Sequence, residues 1–313
     1  MIWLEDKIIE MIKKNEIEKL YNYLKDNYKT CNRCEKIYST YNYQMNYVYT
    51  TKDNHKIGVS KNNDNFNGGY SCIIKNDYDT IDSIGDLPAI IKIYDNSISR
   101  EWFKNGLIHR ECGPASMKDY SNGDYEYFWA YCGANHNEKG PAIIRKYNNK
   151  CRVAYLIDGL YHREDGPADI TAEDGKLVTM TYYKKGLLHR VDGPAEIYFY
   201  NDGSKYYNYY VDNKLHNEEG SASVEYYSNG RLKFCQYLKD DIIVDSIDGP
   251  SSIEYYENGN KKVEEWFKDD KLHRLDGPAK IKYNEDGTIR EELWFREGLK
   301  LDELQVIVLL GNC

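Results

Sequence analysis

Apolar and polar residues alternate in several stretches of the chain. In one stretch Ala279, Ile281 and Tyr283 are separated by Lys280 and Lys282, and similar alternation follows other prolines. A period of two is typical of a β-strand with one buried face, because successive side chains of a strand point to opposite sides. The pattern therefore predicts a strand after each proline.

A turn and a second strand complete each unit. The alternating stretch ends at an Asn-Gly or Asp-Gly pair, and such pairs favour tight hairpins because both residues tolerate a positive φ. The clearest pairs are Asp202-Gly203, Asn229-Gly230, Asn258-Gly259 and Asp286-Gly287. The second strand ends at two aromatic residues: Trp102-Phe103, Tyr182-Tyr183, Tyr209-Tyr210, Trp266-Phe267 and Trp294-Phe295. Each unit is thus predicted to be a β-hairpin.

The prolines define the period of these units. All seven prolines lie in one column at intervals of 26 to 29 residues, with Ser221 in the one gap. They are Pro88, Pro114, Pro141, Pro167, Pro194, Pro250 and Pro278. A period of this size indicates a stacked array of one structural unit. We expect a mainly β fold: an elongated antiparallel meander of about eight β-hairpin repeats over residues 85–301.

A heptad of the form His-Arg-x-Asp-Gly-Pro-Ala links one hairpin to the next. Its full copies begin at His162, His189 and His273, and its weaker copies begin at His109, His136 and His216. Its aspartates, Asp165, Asp192 and Asp276, are predicted turn residues, and its proline begins a strand, where a missing N–H does least harm. We expect the histidine to be half-buried and hydrogen-bonded to a backbone carbonyl of the connection.

The same residue types also suggest a catalytic site, since His, Asp and Arg often act together in catalysis. The degenerate copies argue against it, because Asp165 is replaced by Lys139 or Cys112 and Arg163 by Asn137. We therefore predict a structural heptad in a protein that is not an enzyme and holds no cofactor. A binding role stays open for its arginines, which would present guanidinium groups to an acidic partner: Arg110, Arg163, Arg190 and Arg274.

Residues 1–84 do not follow the repeat. Apolar residues keep helical spacing within residues 1–28, which predicts a short N-terminal helical cap before an irregular β region, and residues 302–313 are predicted to cap the other end. Cys31 and Cys34 would supply half of a zinc site, with His55 and Cys72 as the remaining ligands. We expect these cysteines to be free thiols and the chain to hold no metal; the metal-binding or enzymatic site at these four residues is the alternative.

Composition narrows the class of partner and the compartment. The net charge is −9, which does not attract a phosphate backbone, so nucleic acid is not an expected partner. The N-terminus lacks the apolar region of a signal peptide, and no apolar run approaches the roughly 20 residues of a membrane helix. The eight cysteines form no disulfide framework. We expect a cytoplasmic protein that is neither secreted nor membrane-spanning.

The aromatic pair, the glycine turn and the Gly-x-x-His link resemble MORN-type repeats in a divergent form. The HRxDGPA version resembles paralogous repeat proteins of giant DNA viruses of amoebae, and the resemblance covers about 215 of 313 residues. It implies a scaffold for protein–protein contacts, in the host cytoplasm or in the virion, with a protein partner. The resemblance to MORN proteins also implies an alternative function, lipid or membrane tethering. The net charge of −9 argues against this alternative.

Overall fold

The computed structural model describes residues 44–50, 56–62, 69–75, 78–83, 87–244, 249–302 and 306. This part of the chain is mainly β, and its strands form antiparallel meanders, as the alternating pattern predicts. The predicted N-terminal helices lie outside the described residues, and so does the predicted C-terminal cap apart from Asp302 and Val306. The chain folds as two compact units, Met1–Leu160 and Tyr161–Cys313, which are described in turn.

The first unit is built on nine long strands that pair in chain order, each antiparallel to the next. Short two-residue strands lie between some of them. In chain order the strands are β1 Gln44–Thr50, β2 Lys56–Asn62, β3 Gly69–Lys75, β4 Ile90–Tyr94, β5 Ser97–Glu101, β6 Phe103–Lys104, β7 Leu107–Ile108, β8 Ser116–Tyr120, β9 Tyr125–Phe128, β10 Ala130–Tyr131, β11 Ala134–Asn135, β12 Ile143–Tyr147, β13 Lys150–Ala154 and β14 Leu156–Ile157. The next strand, β15 Leu160–Tyr161, includes the last residue of this unit.

The second unit has ten long strands, again paired in chain order. Its strands are β16 Asp169–Glu173, β17 Lys176–Thr181, β18 Tyr183–Lys184, β19 Leu187–Leu188, β20 Glu196–Phe199, β21 Lys205–Asn208, β22 Tyr210–Val211, β23 Lys214–Leu215, β24 Ser223–Tyr226, β25 Leu232–Gln236, β26 Leu238–Lys239, β27 Ile242–Ile243, β28 Ser252–Tyr255, β29 Lys261–Glu265, β30 Phe267–Lys268, β31 Lys271–Leu272, β32 Lys280–Tyr283, β33 Ile289–Leu293, β34 Phe295–Arg296 and β35 Leu299–Lys300.

The strand register brings apolar residues of successive repeats into rows across each sheet. In the second unit one row contains Ile197, Tyr207, Val224, Cys235 and Ile253. The residue after the proline column, which Ser221 fills in one copy, is Ala or Ser and is fully buried in every described copy: Ala89, Ala115, Ala142, Ala168, Ala195, Ala222, Ser251 and Ala279. In several copies its carbonyl accepts the N–H of the first aromatic residue of the preceding aromatic pair, as in Tyr182 to Ala195 at 2.7 Å. A residue with a small side chain therefore stands at the start of the strand, where this backbone contact is made.

The four long hairpins with the Asn-Gly and Asp-Gly pairs named above turn differently from the expected pattern, whereas Asp174-Gly175 has a positive φ at both residues. We expected both residues of Asp202-Gly203 to favour a positive φ, but among these two only Gly203 adopts one, at 91°. The carbonyl of Tyr200 accepts the N–H of Gly203, and the N–H of Tyr200 donates to Ser204, each at 3.0 Å. The carboxylate of Asp202 accepts the N–H of Ser204 at 2.9 Å. The aspartate therefore stabilises the turn through its side chain, and the glycine alone supplies the left-handed conformation.

Short hairpins between the long ones are the feature that the sequence patterns do not predict. Within each unit a two-residue strand pairs with the next through a two-residue turn, as β18 pairs with β19. Both turn residues have a positive φ, which matches the twist of a type I′ hairpin. The turns are Asn105-Gly106, Cys132-Gly133, Asp158-Gly159, Lys185-Gly186, Asp212-Asn213, Asp240-Asp241, Asp269-Asp270 and Glu297-Gly298. Each repeat thus contains one long and one short hairpin.

Candidate interaction surface at the heptad connections

The heptad arginine is held by its own connection. In the second unit Arg190 donates from Nε to Asp192 at 2.8 Å and from Nη1 to the carbonyl of Pro194 at 3.3 Å. Its Cζ lies 4.1 Å from the ring centroid of Tyr182, a distance typical of a cation–π contact. Arg163 and Arg274 make the same two hydrogen bonds. We expected the heptad arginines to bind an acidic partner. In the structure these guanidinium groups are bound within their own connections.

Asparagine replaces this arginine in two copies; it keeps the bond to the carbonyl four residues on and replaces the bond to the aspartate by accepting a backbone N–H. Asn137 donates from Nδ2 to the carbonyl of Pro141 at 2.8 Å, and its Oδ1 accepts the N–H of Lys139 at 3.1 Å. Asn217 bonds to Ser221 and Glu219 in the same way, at 2.9 and 3.1 Å. A shorter amide therefore closes the same turn. This explains why the heptad tolerates the exchange without losing its shape.

The histidine connects each repeat to the following one. Its Nδ1 accepts the backbone N–H of the first residue in the next short hairpin turn. We expected the histidine to donate to a backbone carbonyl instead. A ring nitrogen that accepts a hydrogen bond carries no proton. In His109, His162 and His273 this assigns the proton of the neutral ring to Nε2. In His136, His189 and His216 a carboxylate oxygen of the same turn residue also lies 2.8 to 3.2 Å from Nδ1, a contact that a protonated Nδ1 would make. The pairs are His109 with Cys132, His136 with Asp158, His162 with Lys185, His189 with Asp212, His216 with Asp240 and His273 with Glu297, at 3.1 to 3.4 Å.

The same turn donates a second backbone hydrogen bond to the preceding repeat. The N–H of its second residue bonds to the carbonyl of the residue just before the histidine, as Asn213 does to Leu188 at 2.9 Å. Gly133 bonds to Ile108 at the same distance in the first unit. Two donors of each turn are therefore satisfied by the preceding repeat. Sequence reasoning missed these turns, although Gly, Asn or Asp recurs at their second position with the repeat period.

The third and fourth heptad positions point outward. The side chains of Glu164, Asp165 and Asp192 are 78, 84 and 79% exposed, and Val191 is 82% exposed. The neighbouring arginine lowers the pKa of Asp165 and Asp192 through a hydrogen bond and through its charge, and Arg274 does the same for Asp276. Exposed carboxylates of lowered pKa stay ionised at neutral pH.

A cleft lies between consecutive heptads in each unit. In the second unit a cleft of about 420 Å³ is lined by two heptads and the aromatic pair between them, with Arg163, Tyr182, Tyr183 and Arg190 in its wall. In the first unit a cleft of about 460 Å³ is lined at related positions, with Arg110, Trp129, His136 and Asp158 in its wall. The two clefts are alike because each repeat places similar residues at these positions. A partner that contacts one cleft would meet similar chemistry at another.

The candidate zinc ligands are mostly outside the described part of the chain. Cys31, Cys34 and His55 lie there, so the site itself stays a prediction. Cys72 is buried in β3, and burial raises the pKa of its thiol to about 12. Among the described residues, no group of three or more His, Cys, Asp or Glu side chains is arranged to hold a metal ion.

Comparisons with known proteins do not assign the chain to a family. No family model matches it, and no curated protein matches it. Within the described residues, no helix combines the length and the apolar character needed to cross a membrane. The fold and the heptad connections are therefore the basis for a functional proposal.

Proposed function

We propose that the chain is a non-enzymatic repeat scaffold that binds a partner protein through the exposed third and fourth positions of its heptads. In the second unit these positions form what we call the heptad ridge: Glu164-Asp165, Val191-Asp192, Glu218-Glu219 and Leu275-Asp276. The proposal rests on the difference in contacts and exposure between the residues of each heptad. The histidine and the arginine or asparagine are half-buried or buried and bond within and between repeats. The ridge residues are exposed and vary between copies, and those of their carboxylates that pair with a heptad arginine or histidine keep most of their surface open to solvent.

The chemistry of the heptad ridge defines the partner. Six carboxylates and two aliphatic side chains recur along it, and Val191 and Leu275 are 82 and 74% exposed. Equivalent positions of neighbouring repeats are two long strands apart, about 9.6 Å. A basic protein segment with interspersed apolar residues fits this pattern, since charge complementarity guides association and buried aliphatic anchors add affinity. Arginine or lysine of the partner would face the ridge carboxylates.

Site-specific photo-crosslinking tests this proposal. A photoreactive residue is placed at position 191 or 275 and, as a control, at Leu177 or Ile289, which are exposed aliphatic residues near the turns of long hairpins. In lysate of the source cell, we expect positions 191 and 275 to crosslink to the same basic protein and the controls to crosslink to it far less. Glu164→Gln with Glu218→Gln should lower the yield. Equal yields from ridge and control positions would reject the ridge as the binding surface.

A further inference from the structure

One exposed thiol contacts an imidazole. The Sγ of Cys132 lies 3.7 Å from Nδ1 of His109, and the backbone N–H of Cys132 donates to the same nitrogen at 3.1 Å. Cys112 and Cys151 are also exposed, while Cys72 and Cys235 are buried. Within the described part of the chain, Cys132 is the one cysteine whose sulfur contacts a histidine ring.

The position of Cys132 in the repeat normally holds an acidic group. Asp158, Asp212 and Asp240 occupy the same turn position in other repeats, and their carboxylates lie 2.9, 2.8 and 3.2 Å from Nδ1 of the preceding repeat's histidine. The repeat therefore places an anionic side chain beside this nitrogen. A thiolate at position 132 would occupy the site that a carboxylate occupies elsewhere.

His109 is buried and its ring lies between two other side chains. The residue is only 6% exposed, and its ring lies against Tyr131 with 4.5 Å between ring centroids. Glu111 Oε1 lies 3.8 Å from Nε2 on the far side of the ring, and Lys104 lies 3.5 Å from the same carboxylate. The Glu111 carboxylate is beyond hydrogen-bond distance of Nε2, so the contact that matters is the one between the thiol and the imidazole. A thiol beside an imidazole is the arrangement that activates cysteine nucleophiles, because the imidazole can take the thiol proton.

We propose that Cys132 is a thiol-modification site, activated by His109, that reacts with low-molecular-weight disulfides. Nδ1 of His109 takes the proton of the thiol, and the Cys132 sulfur attacks one sulfur of the disulfide. The bond between the two small-molecule sulfurs breaks as the mixed disulfide forms, and the leaving thiolate takes the proton from Nδ1. Cys132 is oxidised and the departing thiol is the reduced product.

The reaction would affect the contact between two repeats. While Nδ1 carries the proton it cannot accept the N–H of Cys132, so the hydrogen bond that joins this pair of repeats is interrupted. A bulky adduct on Cys132 would then lie beside Tyr131, which is 50% exposed. The proposal rests on the first unit and does not depend on the heptad ridge of the second.

The test is a rate measurement with oxidised glutathione on the full chain. Each cysteine is followed by quenching and peptide mapping, so exposed Cys112 and Cys151 serve as references in the same sample. We expect Cys132 to react at least about tenfold faster than Cys151, the range that an activating histidine commonly gives. In His109→Asn, where no imidazole can take the proton, the rate at Cys132 should fall to that of Cys151.

Buried Cys72 lies in the same unit as His109 and reports whether the variant stays folded, since a disrupted first unit would expose it to the disulfide. The comparison of the Cys132 and Cys151 rates in the unsubstituted chain tests the proposal even if His109→Asn folds poorly. Cys132 reacting no faster than Cys151 would overturn the proposal. So would an unchanged Cys132 rate in a folded His109→Asn variant.

Discussion

Nδ1 of His162 accepts the backbone N–H of Lys185, 3.3 Å away and one repeat later in the chain. Lys185 has a φ of 50°, a conformation that non-glycine residues rarely adopt. The histidine therefore satisfies the donor of a residue that is itself strained. This contact is what makes the heptad histidine a connection between repeats.

His162→Ala should destabilise the second unit. Removing the acceptor leaves the Lys185 N–H without this partner and removes a half-buried ring, so we expect a loss of about 1–2 kcal/mol in the free energy of unfolding. Urea denaturation measures the loss, and hydrogen exchange of the Lys185 amide should accelerate. Val191→Ala, in the exposed third position of the next heptad, is the control and should change stability by less than about 0.5 kcal/mol. Unchanged exchange at Lys185 would contradict the assigned role of His162.

Lys185→Gly should stabilise the protein, because glycine adopts a φ of 50° without the steric cost of a side chain. The expected gain is up to about 1 kcal/mol, reduced by the greater freedom of glycine in the unfolded chain. The opposite change is Gly186→Ala at a φ of 84°, which should destabilise by at least about 1 kcal/mol. Thermal melts of both variants beside the parent chain measure the two effects. Two changes of the same sign would mean that backbone conformation does not control this turn.

The long hairpins are predictable from sequence because their signals are local. Alternation of apolar and polar residues in strands such as Glu196–Phe199 gives the buried face, and the proline column gives the start of each strand. Eight long hairpins follow that column, three in the first unit up to β13 and five in the second from β16. The antiparallel meander is therefore confirmed within each unit.

The contacts of the candidate surface are not predictable in the same way. A strand of two residues, such as Tyr183–Lys184, is too short to show a period, and Lys185 gives no sign of a positive φ. The partner of His162 lies 23 residues further along the chain, and the ring under Arg190 lies in the preceding hairpin. Spacing along the sequence identifies these columns but not their partners, since stacking between repeats determines the pairs.

The heptad aspartates should stabilise the folded protein only above the pH range in which their carboxylates become protonated. Hydrogen bonds from Arg163, Arg190 and Arg274 lower the pKa of Asp165, Asp192 and Asp276 from the ordinary value of 3.8. A pKa lowered on folding means that the contribution is fully present above pH 3.8 and is lost as the pH falls through the folded-state value. The triple Asp→Asn variant should therefore melt below the parent chain at pH 6, and the difference should shrink well below pH 3.8. A difference that is constant with pH would exclude the ionised pairs as its cause.

Gly193 and Gly140 stand before proline in equivalent heptads, yet alanine should have different effects at these two positions. A Cβ on Gly193 would lie 3.0 Å from Cζ of Arg190, closer than most real contacts, whereas a Cβ on Gly140 would lie 3.5 Å from Nδ2 of Asn137. Gly193→Ala must displace the guanidinium from its present position against Tyr182 and should cost about 1–3 kcal/mol. Gly140→Ala should stay within about 0.5 kcal/mol of the parent, since alanine also restricts the unfolded chain.

A double variant separates this steric explanation from a general need for glycine. Asn137 shows that asparagine closes the same turn, so Arg190→Asn should relieve the clash created by Gly193→Ala. In urea denaturation the double variant should then be more stable than the sum of the two single changes predicts, by about 1 kcal/mol or more, as expected for residues in contact. Strict additivity would show that the arginine does not cause the glycine requirement. Rescue would identify the packing of Arg190 between Gly193 and Tyr182 as the reason that arginine and glycine occur together in the heptad.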